Sequence, residues 1–181
     1  MIVVEGPDGA GKTTLAKKLS AEFHGAYVHS IGPSPDYENW LLQHTAFVPT
    51  HAKTVNDRFF FSELVYGPIF RGKVCFEPQD LAFMLGNVLQ CRPLIILCLP
   101  SRQHVVGQVV GREDQHIILG GGQWTEDTVQ DVYSAYLDLY RGLEQLQYPF
   151  MFRYDFVEDS LDKVLDHVAE YLLEVHGIER E

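Results

Sequence analysis

Between Gly6 and Thr13 the chain reads Gly-Pro-Asp-Gly-Ala-Gly-Lys-Thr, which fits the spacing G-x-x-x-x-G-K-[ST] at every fixed position. Four such positions at average residue frequencies coincide by chance in under about 1% of chains of this length. Each residue type has a physical task there. The glycines let the backbone turn so that successive N–H groups point into one concavity. A helix starting at Lys12 adds the positive end of its dipole to the same anion site. Lys12 supplies a point charge for β- and γ-phosphates, and the Thr13 hydroxyl can ligate Mg²⁺. Gly6, Asp8, Gly9, Ala10, Gly11, Lys12, Thr13 and Thr14 together predict a cradle for the phosphates of a nucleoside triphosphate, with Lys12 taking part in catalysis. The absence of an N-K-x-D sequence to read guanine counts against a GTPase, and the chain is small for a motor; kinases and switches stay open at this point.

Two further segments carry candidate chemistry. Asp57-Arg58-Phe-Phe-Phe-Ser62-Glu63-Leu-Val-Tyr66-Gly67 begins with a carboxylate and a guanidinium at the end of an expected strand, the edge at which open α/β sheets bind ligands. Asp57 there can hold Mg²⁺, and Arg58 can clamp phosphoryl oxygens bidentately. The stretch 111–124, with Arg112 near its start and Gly120-Gly121-Gly122 near its end, predicts a mobile lid. Its consecutive glycines can absorb a closing motion that brings Arg112 onto the transferring phosphoryl group, with Arg102 as the alternative donor.

These residues need a frame to hold them. Met1–Glu5 reads as a short buried strand running up to a glycine, followed by a helix over 12–23 with Leu15, Leu19 and Phe23 on one face. Strands are expected at 27–31, 54–57, 94–99 and 150–154. Helices are expected at 36–43 (with Asp36 as N-cap), from 59, and at 78–90, 101–110, 125–146 and 158–175. In the last of these Leu161, Val164, Leu165, Val168 and Leu172 repeat with the helical period and must cover a sheet. Strands alternating with helices predict a parallel sheet of about five strands covered on both faces: a single three-layer α/β domain over residues 1–181. Tyr133, Tyr136 and Tyr140 form a helical stripe read as core or interface, and Cys91 and Cys98 flank or end a buried strand as packing residues.

Taken together, EGPDGAGKTT and DRFFFSELVYG resemble the thymidylate kinase family of deoxynucleoside monophosphate kinases, whose signature runs E-G-x-[DE]-G-x-G-K-[ST]-T and then D-R-[YF]-x-x-S-x-x-x-Y. The resemblance implies a P-loop kinase fold, ATP as donor, and Mg²⁺ held at Thr13 and Asp57. It implies that Asp8 lies near the acceptor sugar and the metal, that Arg58 clamps the acceptor phosphate, and that Tyr66 packs under the sugar and disfavours a 2′-hydroxyl. Ser62 falls on the motif's serine, and Glu63 occupies a position facing the base. The family's arginine-bearing segment after the second strand is replaced by Ser30-Ile-Gly-Pro-Ser-Pro35, so Arg71, Trp40, Phe47 or His51 are the candidates to read the base. The family also commonly forms homodimers through a helical face.

Composition narrows the partners. The 181 residues carry 14 Lys and Arg against 25 Asp and Glu, a net charge of −11. Residues 125–181 hold 14 of the acids and only 4 of the bases, whereas residues 1–124 hold 11 acids and 10 bases, so no local field opposes an anion in the first two-thirds. A chain this acidic is a poor match for a long nucleic-acid backbone. The absence of an apolar run near 20 residues argues against a membrane span. Three cysteines without pattern and no signal-peptide layout predict a cytoplasmic setting. A nucleoside monophosphate acceptor suits the residues best, because its phosphate oxygen is already anionic and needs no general base. A deoxynucleoside, a hydroxyl carried on a modified base in DNA, and a nucleotide-dependent switch without chemistry are the alternatives.

Overall fold

A computed structural model describes residues 1–30, 53–110 and 124–178. The helix expected at 36–43, the candidates Trp40, Phe47 and His51, and Arg112 with most of the expected lid lie outside these residues. Five strands, β1 (Ile2–Glu5), β2 (Ala26–His29), β3 (Thr54–Asp57), β4 (Leu94–Cys98) and β5 (Met151–Tyr154), form one parallel sheet in the order β2-β3-β1-β4-β5. Among the described residues six helices accompany them: α1 (Lys12–Glu22), α2 (Phe61–Arg71), α3 (Pro78–Gln90), α4 (Arg102–Val109), α5 (Glu126–Gln145) and α6 (Leu161–His176).

The order follows from burial. β1, β3 and β4 are buried at every position, as strands covered on both faces must be, while β2 and β5 expose residues and take the edges. Side chains alternate between the faces. Val3, Ile95 and Leu97 enter one core with Phe61 and Val65 of α2, Met84 of α3, Val105 of α4 and Tyr136 of α5. Ile2, Val4 and Ile96 enter the other with Leu15 and Leu19 of α1 and Val164 and Val168 of α6. The expected three layers are therefore present.

Element ends depart from expectation for local reasons. α6 starts at Leu161 rather than 158, because Asp155 and Asp159 close a turn (Asp155 N–H to Asp159 Oδ2, 3.0 Å) and the Ser160 hydroxyl then accepts the Lys163 amide at 3.3 Å. α2 starts at Phe61 rather than 59, behind the turn set by Arg58 at φ 70°. Among the described residues no helix is long and apolar enough to cross a membrane.

Candidate active site

In a parallel sheet all the strand ends that follow the chain direction fall on one edge, and β1 stands where the strand order reverses, between β3 and β4. The register sets Val4 opposite Asp57, Asp57 opposite His29, and Glu5 opposite Leu97. The Gly6–Thr13 loop leaves β1 at this point. Gly6 takes φ 144°, and a Cβ on it would lie 2.3 Å from the Cys98 carbonyl oxygen, so no other residue fits between β1 and β4. Gly11, at φ 78°, hands the loop to α1 with no side chain capping the helix. Helices α4, α5 and α6 are capped by Ser101, Thr125 and Ser160, and α3 by Glu77. The first amides of α1 are thus left to an anion, beside a cleft of about 590 Å³ walled by Asp8, Gly9, Gly11, Lys12, Thr13, Thr14, Lys17, Tyr27, His29 and Arg58. Ala10 is buried in the loop, its amide donating to the Pro7 carbonyl at 3.2 Å.

Two cations meet at Asp8. Lys12 is buried, its Nζ donating to the Pro7 carbonyl at 2.6 Å and standing 3.6 Å from Asp8 Oδ1. The Arg58 guanidinium pairs with the same Asp8 oxygen, donates to Ser62 Oγ at 3.2 Å and to the Tyr66 hydroxyl at 3.3 Å, and lies 4.8 Å from the centre of the Tyr66 ring. The Tyr66 hydroxyl also accepts the Asp8 amide at 3.1 Å. Arg58 adopts a left-handed backbone uncommon for a non-glycine residue, and its amide is held by the Val4 carbonyl at 2.9 Å.

Thr13 and Asp57 are also brought together, Thr13 Oγ1 donating to Asp57 Oδ2 at 2.6 Å. Asp57 is fully buried, and its Oδ1 has no hydrogen-bond partner among the described residues. A buried carboxylate oxygen without a donor, next to a hydroxyl at the mouth of an anion cradle, is a donor set that suits a hard divalent cation such as Mg²⁺. Tyr27 and His29 contact the other oxygen of Asp57 at 2.8 and 3.1 Å. Burial, and then Asp57 itself, push the Tyr27 hydroxyl up to about 12, so it acts as a donor to Asp57.

The remaining acceptor candidates are arranged differently. Glu63 and Arg71 pair with each other, and Glu63, almost wholly buried, also accepts the Cys75 amide at 2.8 Å. Among the described residues neither lines the cleft. Arg102 hydrogen-bonds Gln130 at 2.8 Å on the surface. Burial pushes the Cys98 thiol up to about 12, and burial followed by Glu63 does the same for Cys75, in keeping with packing rather than nucleophilic roles.

Apart from the place of Glu5 at the end of its strand, Glu5, Tyr27 and His29 carry no site signal in the sequence, and Tyr136 reads there only as part of a core or interface stripe. Glu5 is fully buried and collects four donors: the amides of Phe59 (2.7 Å) and Ser62 (3.2 Å) on Oε1, and the hydroxyls of Ser62 (2.7 Å) and Tyr136 (3.1 Å) on Oε2. A charge closing an otherwise apolar strand is the one local signal that marks it.

No family model and no curated protein matches the sequence. Among solved structures, the YorR protein of Bacillus subtilis, in complex with phosphorylated GDP, superposes with a TM-score of 0.74 at 19% identity over 97% of each chain. A deoxyadenosine kinase from M. mycoides with bound dATP gives 0.54 at 15% identity over 92% of this chain and 98% of that one, and with bound dCTP 0.54 at 15% over 98% and 100%. The likeness gives the fold alone, a three-layer α/β arrangement.

Proposed function

We propose that the chain transfers the γ-phosphoryl group of ATP to the phosphate of a deoxynucleoside monophosphate, thymidylate or a related one. The observation that carries this reading is the convergence of Lys12 and Arg58 on one Asp8 oxygen. Two cations from separate segments held within a few ångströms are what two phosphates approaching in line require. The loop amides and Lys12 bind the donor, and Arg58 binds and orients the acceptor phosphate. Asp8 fixes the spacing between the two cations. Thr13 and Asp57 would hold Mg²⁺, which neutralises charge on the phosphate oxygens when bound. A phosphate acceptor has a second pKa of about 6 and is already anionic at neutral pH, so this chain need not supply a base. Arg112 completes the proposal as the lid cation, and Ser62 and Tyr66 as groups that hold Arg58, with Tyr66 also placed to meet the sugar. Glu63 and Arg71 are proposed as a pair that shapes the base end of the site rather than as two separate ligands. The bound nucleotides of the YorR protein and of deoxyadenosine kinase support a nucleotide site in this fold.

ADP release measured with ATP and Mg²⁺ across deoxynucleoside monophosphates, ribonucleoside monophosphates and deoxynucleosides, 5-substituted pyrimidines included, tests the reading. Turnover is expected with the deoxynucleoside monophosphates. Turnover confined to deoxynucleosides would instead assign a hydroxyl acceptor, and none at all a binding module. In the same assay Arg58→Ala is expected to lower acceptor kcat/KM by about 10- to 100-fold, the worth of one or two charged hydrogen bonds. ATP affinity should stay within about threefold of wild type.

A further inference from the structure

The two oxygens of Asp57 are treated unequally. Oδ2 accepts from Thr13 Oγ1 at 2.6 Å, the Tyr27 hydroxyl at 2.8 Å and His29 Nδ1 at 3.1 Å, while Oδ1 accepts from nothing among the described residues. Two of the three donors come from the edge strand β2, and the register dictates their approach. His29 stands opposite Asp57, and Tyr27, two residues earlier, shares its face. The Tyr27 and His29 rings lie nearly parallel, 11° apart with centroids 6.5 Å apart, and the Lys17 ammonium sits 5.8 Å from the centre of the Tyr27 ring. This part of β2 is therefore braced from α1.

A carboxylate's terminal torsion is broad and roughly two-fold, so a buried aspartate can exchange its oxygens unless something holds them apart. Three donors fill the lone pairs of Oδ2 and leave it little to give a cation. We infer that Tyr27 and His29 are positioning residues that lock the Asp57 carboxylate with Oδ2 saturated and Oδ1 reserved as the ligand of a divalent cation. The inference rests on the triphosphate site proposed above and adds two residues that wall the same cleft from β2 without belonging to the loop. Groups that orient a metal ligand from behind commonly alter metal affinity by 10- to 100-fold.

The test uses the full chain and a fluorescent ATP analogue titrated with and without Mg²⁺, together with Mn²⁺ binding followed by electron paramagnetic resonance. In Tyr27→Phe and His29→Ala, the readout is the ratio of analogue affinities with and without metal, because both residues also wall the cleft. The Mg²⁺-dependent tightening and the Mn²⁺ affinity should each fall by about 10-fold. The Mg²⁺ concentration for half-maximal turnover should rise in parallel, with the acceptor KM unmoved. His29→Asn, whose amide nitrogen can take the place of Nδ1, should recover most of the loss, whereas His29→Ala should not. Unchanged metal dependence in the Tyr27→Phe/His29→Ala double variant, whatever its melting temperature, would overturn the inference, as would a change confined to acceptor KM. If wild type itself binds the analogue without regard to Mg²⁺, the metal site falls and the inference with it. If wild type binds Mg²⁺ and analogue together yet the variants do too, only the role of Tyr27 and His29 fails.

Discussion

Lys12→Met is expected to lower kcat by more than about 100-fold while leaving the melting temperature nearly unchanged. The residue is only 5% exposed, and its ammonium rests on a backbone carbonyl at 2.6 Å with Asp8 at 3.6 Å. Methionine keeps the apolar stem and its packing, and Asp8 retains Arg58 as partner, so the fold loses one hydrogen bond worth about 1 kcal/mol. Under the proposed function catalysis loses far more, because the charge is then fixed in a partly dry concavity beside the phosphoryl group in transfer. Groups so placed are worth about 2.7–4 kcal/mol each, or 10²–10³ in rate. Lys12→Arg should not restore activity, since a planar fork cannot stand in for a compact point charge within so tight a loop. Kinetics on both variants beside far-UV circular dichroism decide the matter. A loss below tenfold in a folded protein would move the polyphosphate away from this loop.

Much of the frame that holds Lys12 is legible locally. β1 and β4 are short apolar runs, and their bounds follow from a glycine on one side and a proline on the other. The helices at Lys12–Glu22, Pro78–Gln90 and Glu126–Gln145 follow from period and caps to within a residue. What is not legible is whatever depends on strand order. Tyr27 and His29 read as ordinary strand residues, and only the pairing of β2 with β3 sets them against Asp57. Glu63 and Arg71 each look available to a ligand, since both are polar residues of a helix that follows the motif. That the chain folds back to bring the Cys75 amide onto Glu63, and Arg71 onto the same carboxylate, is tertiary information. Tyr136 reads as core and is core. Its hydroxyl, however, reaches Glu5 across 131 positions of sequence, which no periodicity encodes.

Glu5 is where that hidden part of the structure has its largest consequence, and Glu5→Ala is expected to destabilise the protein by about 3–5 kcal/mol. Truncation removes the carboxyl that the Phe59 and Ser62 amides and the Ser62 and Tyr136 hydroxyls share at the entry to α2, leaving the Ser62 amide to the Phe59 carbonyl (3.1 Å) and the Tyr136 hydroxyl to Ser62 Oγ (3.0 Å). Each hydrogen bond lost from a buried group costs about 1–3 kcal/mol, partly relieved by those second contacts. Against a total of about 5–15 kcal/mol the variant survives but melts roughly 10–15 °C lower. It should also lose acceptor use, because Ser62 and the turn at Phe59 hold Arg58 in its left-handed conformation. Glu5→Gln separates the effects, since its carbonyl still takes both amides and only the hydroxyl side is mismatched, at a cost of about 1 kcal/mol. Burial pushes the Glu5 carboxyl above its ordinary range, overriding the donors around it. A raised folded-state pKa means that the folded protein holds the extra proton. Its stabilisation is complete below the unfolded carboxylate value of about 4.3 and declines as pH rises through the folded value. The stability advantage of wild type over Glu5→Gln should therefore be greatest near pH 4 and narrow toward neutrality, as measured by denaturant melts of both proteins across that range. An advantage that widens with pH would show Glu5 to be held as an anion, with Arg58 rather than burial governing its charge.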